Sequence, residues 1–455
     1  SDFRLHWYTF FFIYWFVICT IDIQNRSRRF SFDTASVWLL ALVLPVAGLI
    51  VFPGLAVPLI GMKVTILAVG VILGFIAFVI ARLVRGSIVA PPWMLIGAVW
   101  LIPLAYALST LFSGVNPVRA FFGVEFETDT FGFVLLLAIL TTLTAFVFRH
   151  AKHFSTFFTV SSIALALAVL VQFLFIVLAK AGVSLSATDN LVGAFSDLGA
   201  LIGLGVVMTL LAFRFLPLPS RTKILLIVLL VASLLLLMLV NSASIWILIA
   251  LASGGLFIEA IMHRRSSEDD AELEGIATVS EERDMYQGAP EARSLGIPLV
   301  TLLISLFFLV GGATIANSVA GALGINVIDV RPSWQSTFMI GSHTYASSPL
   351  FGSGPATFGE EWLKFRDRTL NETIFWNIDF TTGIGYIPTS FVTTGIIGAL
   401  AWLAFIGLFL YTGLRTFLFR LPQDTFMRFS ALASFAGVFY VLVYALFGSP
   451  GPIVL

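Results

Sequence analysis

Charge is what this chain has least of. Its 455 residues carry 25 Lys and Arg against 25 Asp and Glu, 11% of the total, and the net charge is zero. A soluble protein carries about 25% charged residues. The deficit excludes an ordinary water-facing surface, and the zero balance argues against nucleic acid as a partner. Cysteine is rarer still. Cys19 stands alone inside an apolar run, which excludes a disulfide framework and a thiolate metal site. Five histidines are present, but none sits at metal-ligand spacing and no H-E-x-x-H pattern exists, so no metal and no cofactor is expected. The first apolar run begins at once, is rich in Trp, Tyr and Phe, and lacks a small-residue cleavage site. The expectation there is no cleavable signal peptide.

What fills the space is apolar. Hydrophobic residues make up 59% of the chain, Phe alone numbers 45, and the mean hydropathy is +1.01. About 20 helical residues cross the hydrocarbon of a bilayer, and runs of that length recur throughout. The pattern predicts an all-α, polytopic membrane protein of about 11–12 transmembrane helices. Spans are expected near 5–21, 36–52, 64–82, 93–112, 131–148, 157–180, 192–213, 224–241, 245–262, 297–318, 386–414 and 428–448.

Basic residues gather at Arg26, Arg28 and Arg29, Arg82 and Arg85, Arg149 and Lys152, Arg221 and Lys223, Arg264 and Arg265, and Arg415 and Arg420. They fall on every second connection, which places those connections in the cytoplasm. The chain then divides into an aromatic N-terminal helix with its basic connection (1–35), membrane helices with outward motifs (36–262), and an acidic cytoplasmic loop (263–296). A further helix (297–318), an extracytoplasmic loop domain with short amphipathic helices (319–385) and the C-terminal helices (386–455) complete it. The acidic loop has too few apolar groups to fold alone. The multi-pass chain is expected in the cytoplasmic membrane, with its functional face outside.

Most of the unusual polar residues lie on that outer side. In "DVRPSWQST" (329–337), Arg331 heads a short amphipathic helix on which Trp334, Phe338 and Ser342 share a face. Arg331 either pairs with Asp329 or holds a ligand. "SPLFGSGPATFGEEW" (348–362) places Gly352 and Gly354 in a tight turn, whose N–H groups form an anion-binding nest if they are free. "GVNPVRAFFGVEFETDTFG" sets Arg119 beside Glu125, Glu127 and Asp129, and arginine suits two-pronged recognition of phosphate or carboxylate. Asp197, just inside a span, is a functional hypothesis by its position. His343 is the histidine of the long outer loop.

Arg331, Trp334, "SPLFGSGPATF" and "VTTGIIGALAWLAF" (392–405) together resemble the O-antigen ligase and polymerase family. In that family an outward loop opens on an arginine and a tryptophan, a Pro-Leu-Gly-x-Gly-x-x-Phe turn follows, and the next helix begins with a Gly-x-x-Gly pair. The resemblance covers roughly residues 36–420. It implies an all-helical fold related to the GT-C glycosyltransferases. The implied activity is metal-independent transfer of a glycan from an undecaprenyl-diphosphate-linked donor to an acceptor hydroxyl on the outer face. Arg331 and Arg119 would then hold the diphosphate, with Glu125, Trp334, Gly352 and Gly354 lining the substrate. Family members often carry a histidine before the Gly-x-x-Gly helix, where this chain has Ile384 and Gly385. His343, Asp197, Glu125 or Asp379 would have to take the acceptor's proton instead. The expected partners are the lipid-linked glycan donor, membrane lipids, an unidentified glycan, lipid or protein acceptor, and a protein partner. A non-enzymatic structural subunit, an anchor of a surface assembly, or a transporter of lipid-linked sugars would share this composition.

The charge alternation gives a direct expectation. In a Cys19→Ser background, single cysteines in 113–130, 181–191 and 319–385 should react with an impermeant thiol reagent from outside. Cysteines in 266–296 should react only after the membrane is opened, and the reverse pattern would invert the whole assignment.

Overall fold

The structure is a computed structural model. It describes residues 32–52, 58–85, 91, 93–124, 127–183, 185–274, 296–325, 330–367, 372 and 377–455, with the side chains of Arg85 and of 263–274 left aside. The expected span at 5–21, Glu125 and Asp329 lie outside the described residues.

Apolar runs become helices because a backbone in hydrocarbon must satisfy its own hydrogen bonds. In chain order the helices are α1 (Phe32–Leu49), α2 (Leu59–Arg85), α3 (Trp93–Phe112), the short α4 (Pro117–Phe122), α5 (Phe131–Val147), α6 (Ala151–Lys180), α7 (Phe195–Phe215) and α8 (Ser220–Val240). They are followed by α9 (Ala243–Glu274), α10 (Gly296–Val310), α11 (Ala313–Ala322), α12 (Trp334–Ser347), α13 (Phe358–Phe365), α14 (Tyr386–Phe419) and α15 (Thr425–Phe447). Among the described residues nine helices are long and apolar enough to cross a membrane. The chain is a polytopic helical membrane protein.

Two expected spans differ in shape. The run at 297–318 breaks after Val310, where Gly311 and Gly312 intervene, and α11 leaves α10 at 84°. Helix α5 is 17 residues long, just under the length of a straight crossing. The segment expected as an acidic loop from 263 starts as helix, because α9 continues to Glu274.

Helix α7 is the axis of the bundle. Two-thirds of its most apolar window is buried, more than in any other spanning helix among the described residues. Its glycines let neighbours touch the backbone: a Cβ at Gly199 would lie 2.6 Å from Val240, at Gly203 2.3 Å from the Tyr440 hydroxyl, and at Gly205 2.2 Å from Leu165. Tyr440 uses that closeness to donate a hydrogen bond to Ala200 O at 3.0 Å.

The segment ends that the charge pattern assigns outward meet one another. Lys63 is fully buried and donates to Gly48 O and Ile50 O, both at 3.0 Å, closing the end of α1. Lys180 donates to Ala322 O at 2.8 Å. At the opposite end Arg82 pairs with Asp33, and buried Arg214 with Glu259 at 2.5 Å.

Helix α14 contains the most consequential break. Gly395 sits at φ 68°, ψ −158°, so the helix stops and restarts. The carbonyls of Val392 and Thr393 lose their partners in the helix and accept instead from Ser353 N (3.3 Å) and Gly354 N (2.8 Å). The amides of Ile396 and Ile397 donate to Pro349 O (3.0 Å) and Leu350 O (3.2 Å). Residues 349–354 therefore stand in for the missing turn of α14. Only glycine fits there: a Cβ at Gly395 would lie 2.5 Å from Gly352 N, and one at Gly352 2.4 Å from Val392 O.

Gly395→Ala should cost at least about 1–3 kcal/mol, from the positive φ alone. Gly407→Ala, a mid-helix site where a Cβ meets nothing, should be neutral or stabilising by up to about 1 kcal/mol. Melting of the two proteins in detergent separates them. Equal melting would mean that the break does not hold the loop.

Candidate functional site

The end that the charge pattern assigns outward, called the outer end below, is built from five pieces: the end of α3, the α4 turn, residues 127–130, the 349–356 loop, and the start of α14. Asn116 caps α4 by accepting from Val118 N at 2.9 Å, and Pro117 sets its first turn. This places Arg119 against the loop, where it pairs with Glu360 and donates from Nη2 to Ala356 O at 3.3 Å. Its Nε is buried with no acceptor. Ala356 is held at φ 59° and donates its own N–H to Asp129 O at 2.9 Å.

Asp129 lies beneath that contact, 3% exposed. Tyr106 of α3 donates to its Oδ1 at 2.5 Å. The Tyr386 hydroxyl at the head of α14 lies beside Tyr106 and donates to Thr128 O at 3.2 Å. Burial pushes the Asp129 carboxyl up to about 7. Hydroxyls from Tyr106 and Thr393 and the Ala356 amide pull the other way, and neighbouring Glu127 adds to the rise. Nearby, Ser109 Oγ sits 2.6 Å from Phe351 O and 2.9 Å from Thr393 O, tying α3 to the loop and to the broken helix.

Glu127 and Thr130 of that turn also face an apolar groove. Helices α2 and α5 form its walls, and it encloses about 780 Å³. Ala68, Ile72 and Phe75 line one side and Leu136, Ile139 and Phe146 the other, with Trp100, Phe121 and Phe122 along it and Glu127 and Thr130 at its outer end. From Phe133 to Phe146 the groove follows α5 for about 20 Å at 1.5 Å per residue.

The remaining residues singled out by sequence have clear places. Arg331 Nη1 donates to Phe447 O at 2.5 Å, closing the carbonyl end of α15. Asp197 accepts from Ala194 N at 3.2 Å, at the start of α7, and from Gly451 N at 2.8 Å. Trp334 stacks on Phe338 and meets the edge of Phe447. These three therefore converge on one segment, 447–451, whose Gly448 O also accepts from Tyr386 N at 2.9 Å. The chain of contacts from Arg331 through Gly448 and Tyr386 to Asp129 and Ala356 leads on to Arg119, although Arg119 and Arg331 share no partner among these bonds.

Helix α12 begins at Trp334, capped by Ser333, three residues past the Arg331 expected at its head. The expected nest is occupied by protein. The N–H groups of Gly352, Ser353 and Gly354 go to Ser348 O, Val392 O and Thr393 O, so Gly352 and Gly354 serve the helix break and have no amide left for an anion. His343 is exposed on α12 and stacks on Phe365 at 4.8 Å. Sequence reasoning named Asp129 among three acids without separating it, and passed over Tyr106 and Tyr386. The available signal was a tyrosine near the outer end of each of two spans, facing an acid in a connection of the same side.

A scan against protein-family models and a search of curated proteins find no match to this chain.

Asp197→Ala removes the acceptor for two backbone amides, so a loss of about 1–3 kcal/mol is expected. Amide exchange at Gly451 should speed up well beyond the rest of α15. Unchanged protection there would show that the 447–451 segment is held without Asp197.

Proposed function

We propose that the chain is an O-antigen-ligase-like transferase. In this reading it moves a glycan from an undecaprenyl-diphosphate-linked donor to an acceptor hydroxyl at the outer face of the cytoplasmic membrane. The observation that carries the reading is the groove between α2 and α5. It is long and apolar enough for a lipid chain, and its outer end is lined by an acid beside the turn that reaches Arg119.

The lipid chain lies along Ile72, Leu136 and Phe146, which places the diphosphate near Arg119. Arg119 is half-exposed, its Nε is uncommitted, and its pair with Glu360 is of the exposed kind worth about 0–1 kcal/mol. A diphosphate can therefore displace Glu360 at small cost, and charge-assisted arginine–phosphate bonds are about twice as strong as neutral ones. The acceptor oxygen attacks the anomeric carbon, the bond to the diphosphate oxygen breaks, and undecaprenyl diphosphate leaves. Glu127, which lines the groove's outer end, takes the acceptor's proton as general base. Arg331 and Trp334 hold the outer loop against 447–451 and frame the acceptor side.

The bonds of Arg331 and Asp197 to backbone groups favour a second reading, a non-enzymatic anchor whose outer cap is purely structural. The two readings part on lipid binding. Ala68→Phe, which fills the groove, and Arg119→Ala should each weaken binding of undecaprenyl diphosphate tenfold or more, while Arg119→Lys should recover part of it. Tryptophan fluorescence, checked against Trp100→Phe, reports the binding. Equal affinity in all variants would leave the groove an ordinary lipid-facing surface and favour the anchor.

A further inference from the structure

Asp129 does not face the groove, and the chemistry above does not use it. It is nonetheless the most unusual group at the outer end. Its carboxyl is buried beneath the turn that carries Glu127 and Thr130, Tyr106 supplies one donor to Oδ1, and Oδ2 has no donor in hydrogen-bonding geometry. A buried carboxylate short of donors is costly, whereas the protonated acid gains a donor of its own and loses the charge. Besides the Ala356 amide, which favours the ionised form, the side chains that face it are Tyr106 on α3, Tyr386 and Thr393 on α14, and Glu127 on its own turn. Two of these are uncharged tyrosines, one is a hydroxyl, and the fourth is an acid that repels the ionised form. The nearest arginine reached through these contacts, Arg119, is engaged through Ala356 O and Glu360 rather than with Asp129.

We propose that Asp129 is a positioning residue that works with its proton on: the neutral carboxyl keeps the 127–130 turn packed on Tyr106 and Ala356, and its ionisation loosens that turn. The bond from Ala356 N to Asp129 O links the turn to the loop on which Arg119 rests. A loosened turn therefore disturbs Glu127 and Arg119 together. The consequence for donor binding rests on the transfer reading, whereas the effect on the turn does not.

The sign follows from the two states of the chain. Unfolded, the carboxyl loses its proton near its ordinary value of 3.8; folded, it keeps it to about 7. The folded state thus binds more protons between those limits, and the contribution of this group to stability falls as pH rises from about 4 to about 7.

The test compares wild type with Asp129→Asn, a neutral side chain of the same shape, by melting in detergent between pH 4.5 and pH 8. The asparagine protein should melt above wild type at pH 8, with the gap closing towards pH 4.5. Amide exchange in peptides covering 127–133 and 351–358, corrected for its intrinsic pH dependence, should rise in wild type above pH 7 and stay level in the variant. Tyr106→Phe gives a second route that does not need the asparagine protein to fold. It removes a donor that favours the ionised form, so the pH at which the turn loosens should move up.

A constant melting gap across pH, or an asparagine protein less stable throughout, would overturn the proposal, because the charged form would then be the one the fold uses. Undecaprenyl diphosphate should bind wild type at least threefold more weakly at pH 8 than at pH 5.5 relative to Asp129→Asn. The same pH dependence in both proteins would overturn the link from the turn to the site. If neither protein binds the lipid at any pH, the transfer reading fails, and melting and exchange still decide the role of Asp129.

Discussion

A broken helix mended by a loop is the constraint on which the outer half of this protein depends. Stopping α14 at Gly395 strands two carbonyls and two amides beside a buried stretch, Val392 to Gly395, and a buried peptide group left unpaired is costly. Residues 349–354 return all four bonds. That repair fixes the loop in place, and the loop in turn fixes Ala356, which touches Asp129 and Arg119. The position of the arginine is thus set through the backbone, by the cost of an unpaired peptide group.

The same demand recurs around the rim. Lys63 closes the end of α1, Lys180 that of α11 and Arg331 that of α15, while Asp197 receives the amide of Gly451. Three cations on carbonyl ends and an anion on amides follow the direction of the helix dipoles. In a chain so poor in charge, several of its ionisable side chains are spent on finishing helices. Their presence at one end of the bundle reflects where helices stop as much as where chemistry could occur.

This explains which parts of the molecule were legible in the sequence. The spans were readable because hydrocarbon imposes length and composition on every stretch that crosses it, and most boundaries lie within a few residues of the expected ones. The 84° bend was written in Gly311 and Gly312, but two glycines in an apolar run mark equally well a place of close packing. Gly352, Gly354 and Gly395 stood out as glycines, yet nothing local says that they meet one another. The Gly352–Gly354 turn reads as an anion nest until the carbonyls of Val392 and Thr393, some 40 residues away in sequence, are known to accept from Ser353 and Gly354. Asp129 looked like one more loop acid, because its burial is conferred by Tyr106 and Tyr386, which lie in other helices.

Sequence separation also dictates when the outer cap can exist. Ser109 and Thr393 are 284 residues apart, Thr128 and Tyr386 258, and Asp197 and Gly451 254. During synthesis the chain emerges at about 5–20 residues per second. The α3 and α4 pieces must therefore wait at the membrane surface for on the order of ten seconds or more before α14 arrives to pair with them. Until then the acid of the 127–130 turn has no tyrosine roof from α14 and can stay hydrated. The membrane helices can be inserted one after another, but the outer cap closes only when the chain through Gly451 has left the ribosome.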